Sequence, residues 1–242
     1  LFTIPVSQQQ QAAGAGFFSY PRIPQCIKGI KFFDEFKREA LNMSTAPVLY
    51  TVTTTGTGTG VITAGRRLEI DTTAALSDDV DVRTSGFHFS RSPAVAVLDF
   101  DNRSIVTLEI SFALSQTAST EMFIGLVSSF AQLTALPTTT AHTGLQYDAS
   151  ANANFFWTSA DGTTQSTGST TIAADTGSRT VKIIWSGANT VTMELYSGST
   201  LQNSRSVTAL GGADPFSLHF FLQTEATLAR EMLILQWIAI ID

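Results

Sequence analysis

Three aspartates in the run Ser77-Asp78-Asp79-Val80-Asp81 form the densest group of side chains with ligand chemistry. Hard cations such as calcium take several oxygens from one loop, which makes Asp78, Asp79 and Asp81 the candidate metal ligands. The run lacks the central glycine and closing glutamate of a helix-loop-helix calcium site, and a solvated acidic loop is the competing reading. A second candidate group is aromatic. Tyr147, Phe155, Phe156 and Trp157 can stack on sugar rings, with Tyr147 and Trp157 as the glycan-facing members, or they can be plain core. The three histidines have no local Cys, Asp or Glu partner at a ligand spacing, although catalytic groups also assemble from distant strands. His219 falls on the polar side of its strand and is read as a surface or groove residue, the third glycan-facing candidate. The single Cys26 excludes an internal disulfide and any Cys/His metal cage.

Other short motifs point away from chemistry. Gly56-Thr57-Gly58-Thr59-Gly60 has the look of a phosphate cradle, but no Lys-Ser/Thr follows and no helix opens there, so a turn is expected. The formal net charge is −6, and the basic pairs Lys37-Arg38 and Arg66-Arg67 are isolated. Nucleic-acid binding needs clustered cations, and none is expected here. Only 14% of the 242 residues are charged against 43% hydrophobic. No apolar run reaches the roughly 18 residues of a membrane-spanning helix, and no membrane partner is expected.

The elements that would hold these residues are strands. Val181, Ile183 and Trp185 alternate with Lys182 and Ile184, as do Val191, Met193 and Leu195 with Thr192, Glu194 and Tyr196; this period of two marks strands with one buried face. Short turns follow each, so residues 179–207 are predicted to form an antiparallel meander. Val106, Leu108, Ile110 and Phe112 repeat the alternation, and Phe216, Leu218, Phe220 and Leu222 do so again. Residues 121–129 are apolar enough for a central strand buried on both faces, with Gly125 marking close packing or a bulge. A closing strand spans 231–241. Residues 27–41 fit a helical stripe or a short strand, and 163–174 is expected to be an exposed loop. The chain is predicted to be all-β, a two-sheet antiparallel β-sandwich over residues 30–242, with very little helix.

Residues 1–29 stand apart as an extended N-terminal arm. Leu1, Phe2, Ile4, Phe17, Phe18, Tyr20 and Ile23 are large apolar side chains on a segment rich in Gln, Gly and Pro, which gives it no fold of its own. Such side chains are expected to dock, either on a neighbouring subunit or other protein or back on the chain's own sandwich. A homo-oligomer is the expected form.

The runs Phe32-Phe33-Asp34-Glu35-Phe36, Gly65-Arg66-Arg67-Leu68-Glu69-Ile70, Val106-Thr107-Leu108-Glu109-Ile110-Ser111-Phe112, Met122-Phe123-Ile124-Gly125-Leu126-Val127, Val181-Lys182-Ile183-Ile184-Trp185 and Leu233-Ile234-Leu235-Gln236-Trp237-Ile238 together resemble the concanavalin A-like (laminin G-like) jelly roll found in many phage structural proteins. The resemblance implies that the terminal strand lies beside the first one and roots the arm there. It also implies two function classes. The first is a virion structural protein, a capsid-associated or decoration subunit, anchored by the arm to other virion or capsid proteins. The second is a carbohydrate-binding module for adhesion, outside the cell or on its surface, with surface glycans as partners. The glycosidases of this fold carry paired acids as Glu-x-Asp-x-x-Glu, and that pattern is missing. No enzymatic activity and no cofactor are expected.

Overall fold

A computed structural model describes residues 3–5, 30–34, 50–62, 67–84, 89–90, 98–99, 105–129, 131–186, 190–208 and 216–241. Among the described residues there is no helix. The strands in chain order are β1 (Thr3–Pro5), β2 (Ile30–Asp34), β3 (Tyr50–Thr55), β4 (Thr59–Ile62), β5 (Leu68–Asp71), β6 (Asp79–Thr84), β7 (Phe89–Ser90), β8 (Leu98–Asp99) and β9 (Ile105–Leu114). The second half supplies β10 (Thr120–Val127), β11 (His142–Asp148), β12 (Asn154–Ala160), β13 (Gln165–Ala173), β14 (Arg179–Ser186), β15 (Thr190–Ser197), β16 (Thr200–Thr208), β17 (Ser217–Thr224) and β18 (Glu231–Ile241).

Two sheets face each other. The nine-stranded sheet runs β1-β2-β18-β9-β14-β15-β16, with β5 also on β18 and β4 on β5; the seven-stranded sheet runs β13-β12-β11-β10-β17-β6-β3. Within these two sheets the pairings are antiparallel except β1 on β2, and the pair β7–β8 stands apart as a parallel ribbon. The alternation read from sequence sets the inner faces. In β9, Val106, Leu108, Ile110 and Phe112 are buried between half-exposed neighbours, and Val181, Ile183 and Trp185 of β14 and Val191, Met193 and Leu195 of β15 continue that face. Met122, Ile124, Leu126, Leu145, Phe155, Trp157, Phe220 and Leu222 supply the opposing face. Burying one such large apolar side chain contributes about 1.5–3 kcal/mol, so this shared core is the main source of stability.

Polar atoms stitch the core shut. Trp237 Nε1 of β18 donates to Tyr50 Oη of β3 at 2.7 Å, and Trp157 Nε1 of β12 donates to Asn203 Oδ1 of β16 at 2.8 Å. Each bond crosses from one sheet to the other, which satisfies a buried indole donor and fixes how the sheets are stacked. In the centre of the seven-stranded sheet, Gly125 lies opposite Gly144, where a Cβ on Gly125 would fall 2.2 Å from the Thr143 carbonyl oxygen. Only glycine fits that approach.

Several expectations need correcting. Residues 163–174 contain an edge strand, β13, rather than a loop; its Ser, Thr and Gly content hides it, since only Thr170 of β13 is buried. The Gly-Thr turn crosses between layers, since β3 belongs to the seven-stranded sheet and β4 to the nine-stranded one. The acidic run is neither a cation loop nor a solvated loop: Asp79 to Asp81 open β6, which lies between β17 and β3, and Asp78 immediately precedes it and is buried. The ambiguous segment 27–41 includes β2, which pairs with β18 as the resemblance implies. Of the arm, residues 3–5 form β1 on the edge of the sandwich. Ile4 belongs to that strand; Leu1, Phe2, Phe17, Phe18, Tyr20 and Ile23 lie outside the described residues.

Candidate functional site

The outer face of the nine-stranded sheet carries a polar plate whose register is set by three adjacent strands. Lys182 of β14 lies directly between Glu109 of β9 and Glu194 of β15, and in the next row Thr180 lies between Ser111 and Tyr196. Because inward positions are taken by Leu108, Ile183 and Leu195, these side chains must point outward. Lys182 Nζ is 3.1 Å from Glu109 Oε2 and 4.9 Å from the centre of the Tyr196 ring. Tyr196 donates its hydroxyl to Glu194 Oε2 at 2.7 Å, and that bond, with some burial and the nearby Glu194 and Glu109 charges, pushes the phenol pKa up. Ser111 and Thr180 share a hydroxyl bond of 3.0 Å. Around this plate Glu109, Thr180, Lys182, Tyr196, Gly198 and Ser199 line a shallow cavity of about 410 Å³. Such a volume lies within the usual range for small-molecule sites. Gly198, at φ +57°, turns the chain at its rim without a side chain in the way.

The outer face of the seven-stranded sheet is organised in the opposite sense. The connection between β10 and β11 folds back over it, and Leu133 and Leu136 pack on Phe123, Val127 and Phe221. Beneath that strap lies a buried polar chain. Asp81 Oδ1 is 3.0 Å from His219 Nδ1, and His219 Nε2 is 2.7 Å from Ser217 Oγ and 3.0 Å from the Ser129 carbonyl oxygen. The other Asp81 oxygen accepts the Leu133 amide at 3.0 Å and Arg83 Nη1 at 3.3 Å. Asp, His and Ser stand at the distances of a hydrolytic triad, yet all three are 0% exposed. Ser217 Oγ is committed to the Ser129 carbonyl at 2.8 Å, so no substrate carbonyl reaches it. The arrangement ties the strap to the sheet.

This placement corrects the sequence-based site residues. His219 is on the outer face of its strand, as its pattern indicates, but the strap covers it. Tyr147 and Trp157 are 4% and 1% exposed and point into the core, where no sugar can stack on them. Asp78 and Asp79 are also buried and held by protein donors: one Asp78 oxygen, Oδ2, accepts Thr73 N and Oγ1 while Oδ1 is left without a hydrogen-bond partner, and Asp79 Oδ1 accepts Thr55 N at 3.2 Å and Gln132 Nε2 at 2.9 Å. With Asp81 held by His219, the three aspartates point to different partners and do not converge on one cation.

Carboxylates do converge elsewhere. Among the described residues, Glu69, Asp71 and Glu231 form one group and Glu121, Asp148 and Glu225 another, with one ligand atom from each residue within 4.8 Å of the others. Burial, reinforced by Glu69 and Glu231, raises the Asp71 pKa to about 6. Burial, reinforced by Asp148 and Glu225, raises that of Glu121 to about 7. Cross-strand register creates both groups, since Asp71 opposes Glu231 and Glu121 opposes Asp148.

No protein-family model matches the sequence, and no characterised protein matches it either. Solved structures do match the fold. Peanut lectin superposes with a TM-score of 0.60 at 9% identity, covering 89% of this chain and 99% of the lectin. Lectin I from Ulex europaeus, solved with the methyl glycoside of α-L-fucose, gives 0.58 at 12% identity, covering 89% and 99%. A third match comes from work on endo-acting O-glycanases of the human gut microbiota that initiate mucin breakdown, with 0.60 at 10% identity and coverage of 86% and 98%. At such identities the likeness establishes the fold: the chain is a concanavalin A-like β-sandwich.

Proposed function

We propose that this protein is a carbohydrate-binding module, and that saccharides bind in the groove around Tyr196 on the open face of the nine-stranded sheet. The observation that carries the reading is the groove itself: an aromatic ring flanked by carboxylate, ammonium and hydroxyl groups in a shallow cavity of about 410 Å³. Sugars present a C–H face that packs on aromatic rings and a rim of hydroxyls that pair with polar side chains, which this set provides. Lectins among the structural neighbours support this second sequence-based function over the virion role. The glycanase neighbour raises hydrolysis as a competing activity. Against it, the described Asp-His-Ser chain is covered, and the paired-acid strand motif is missing from the sequence.

A glycan array probed with the wild-type protein and with Tyr196→Ala tests the proposal. Binding to a saccharide class that the variant loses, with its folding intact by circular dichroism, is the expected result. Equal binding by both proteins moves the site elsewhere, and no binding by either removes the function. Release of reducing ends from a bound glycan would make the protein an enzyme instead.

A further inference from the structure

The charge arrangement in the groove bears on which saccharides it takes. Glu109, Lys182 and Glu194 form one row across three strands, so two carboxylates flank a single ammonium. That ammonium is engaged on both sides, by Glu109 at 3.1 Å and by the Tyr196 ring at 4.9 Å. A cation held over an aromatic face beside a carboxylate is a recognised binding arrangement for ligand amines. Here the protein's own lysine occupies it. Lys182 retains 29% side-chain exposure, and its flexible four-carbon stem can swing toward solvent when a ligand amine takes its place. An acidic sugar meets the reverse situation: among the described residues the groove's lining supplies no cation other than Lys182, and the row sums to one negative charge.

We propose that the groove ranks saccharides by charge, taking those with a free amine ahead of neutral ones and neutral ones ahead of acidic ones. The inference rests on the carbohydrate-binding reading and specifies its ligand class. The amine sits where Lys182 Nζ now lies, between Glu109 and the Tyr196 ring, with Glu194 as the second carboxylate in reach. Neutral sugar hydroxyls use Thr180 and Ser199, which are unaffected by the charge row. The ranking weakens as salt screens the partly exposed carboxylates.

Titration calorimetry with short β-linked oligomers of glucosamine, glucose, N-acetylglucosamine and glucuronate tests the ranking, at a pH near 5.5 where the sugar amine is charged. The glucosamine oligomer is expected to bind about tenfold more tightly than the neutral ones, the effect of one well-placed charge pair. The glucuronate oligomer is expected to bind more weakly than either. Glu109→Gln and Glu194→Gln should each lower the ratio of glucosamine-oligomer to glucose-oligomer affinity, a ratio in which any loss common to both ligands cancels. Equal binding of amine and neutral oligomers, or tighter binding of glucuronate, overturns the charge ranking but leaves carbohydrate binding standing. Failure of every oligomer to bind, together with a blank glycan array, overturns both.

Discussion

The two outer faces of this sandwich have been put to different uses by the same strand alternation. On the seven-stranded sheet the outward positions Phe123, Val127, Phe221 and His219 are as buried as the core beneath them, because residues of the β10–β11 connection lie over them. On the nine-stranded sheet the outward positions Glu109, Lys182, Glu194 and Tyr196 stay half-exposed and pair with one another. A covered sheet face spends its polar groups on stability, since each buried one must be matched. An open face leaves its groups available to a ligand.

The sharpest way to break this contrast is to remove a member of the covered network. Asp81→Ala would leave the Leu133 amide and His219 Nδ1 without their acceptor and Arg83 Nη1 with Thr53 Oγ1 but no carboxylate, and should lower unfolding free energy in urea by about 3–5 kcal/mol. A loss under about 1 kcal/mol, the scale of an exposed pair, would show that the strap is not held as described. Gly125→Ala tests the central strands under the strap. Its Cβ meets the Thr143 carbonyl at 2.2 Å, and a cost of about 1–3 kcal/mol is expected from overpacking.

The carboxylate groups sharpen the comparison through pH. Asp71 and Glu121 have pKa values raised in the fold, from 3.8 to about 6 and from 4.5 to about 7, so the folded state binds protons more tightly than the unfolded chain. Stability is therefore highest below about pH 4 as far as these two groups are concerned, and falls as pH rises through 6 and 7. Glu121→Gln should flatten that fall and raise the melting temperature at pH 8 more than at pH 4. A variant whose melting curve tracks the wild type at both pH values would contradict the assignment. The smallest stability effect belongs to the open face. Lys182→Ala removes a partly exposed pair and should change stability by no more than about 1 kcal/mol while altering ligand affinity. A larger loss would make the plate structural.

The sequence was enough to establish the all-β class, the meander of β14 to β16, the inward faces of β9 and β17, the central strand β10, and the closing strand β18. Each of these follows from an alternation with a period of two, which a chain carries whether or not it is folded. Strand β13 was not legible, because an edge strand buried at only one residue has no apolar rhythm to read. The polar positions Glu194 and Tyr196 were visible as outward-facing, and a hairpin register would have set Lys182 opposite Glu194. Glu109 comes from more than 70 residues earlier in the chain, and nothing local announces it as the third member of the row. His219 and Asp81 show the same limit from the other side. Their residue types suggested a groove and a cation, but their actual roles depend on a connection that covers one sheet and not the other. Local pattern decides which way a side chain points from its strand, whereas only tertiary packing decides whether that side meets solvent or another layer of protein.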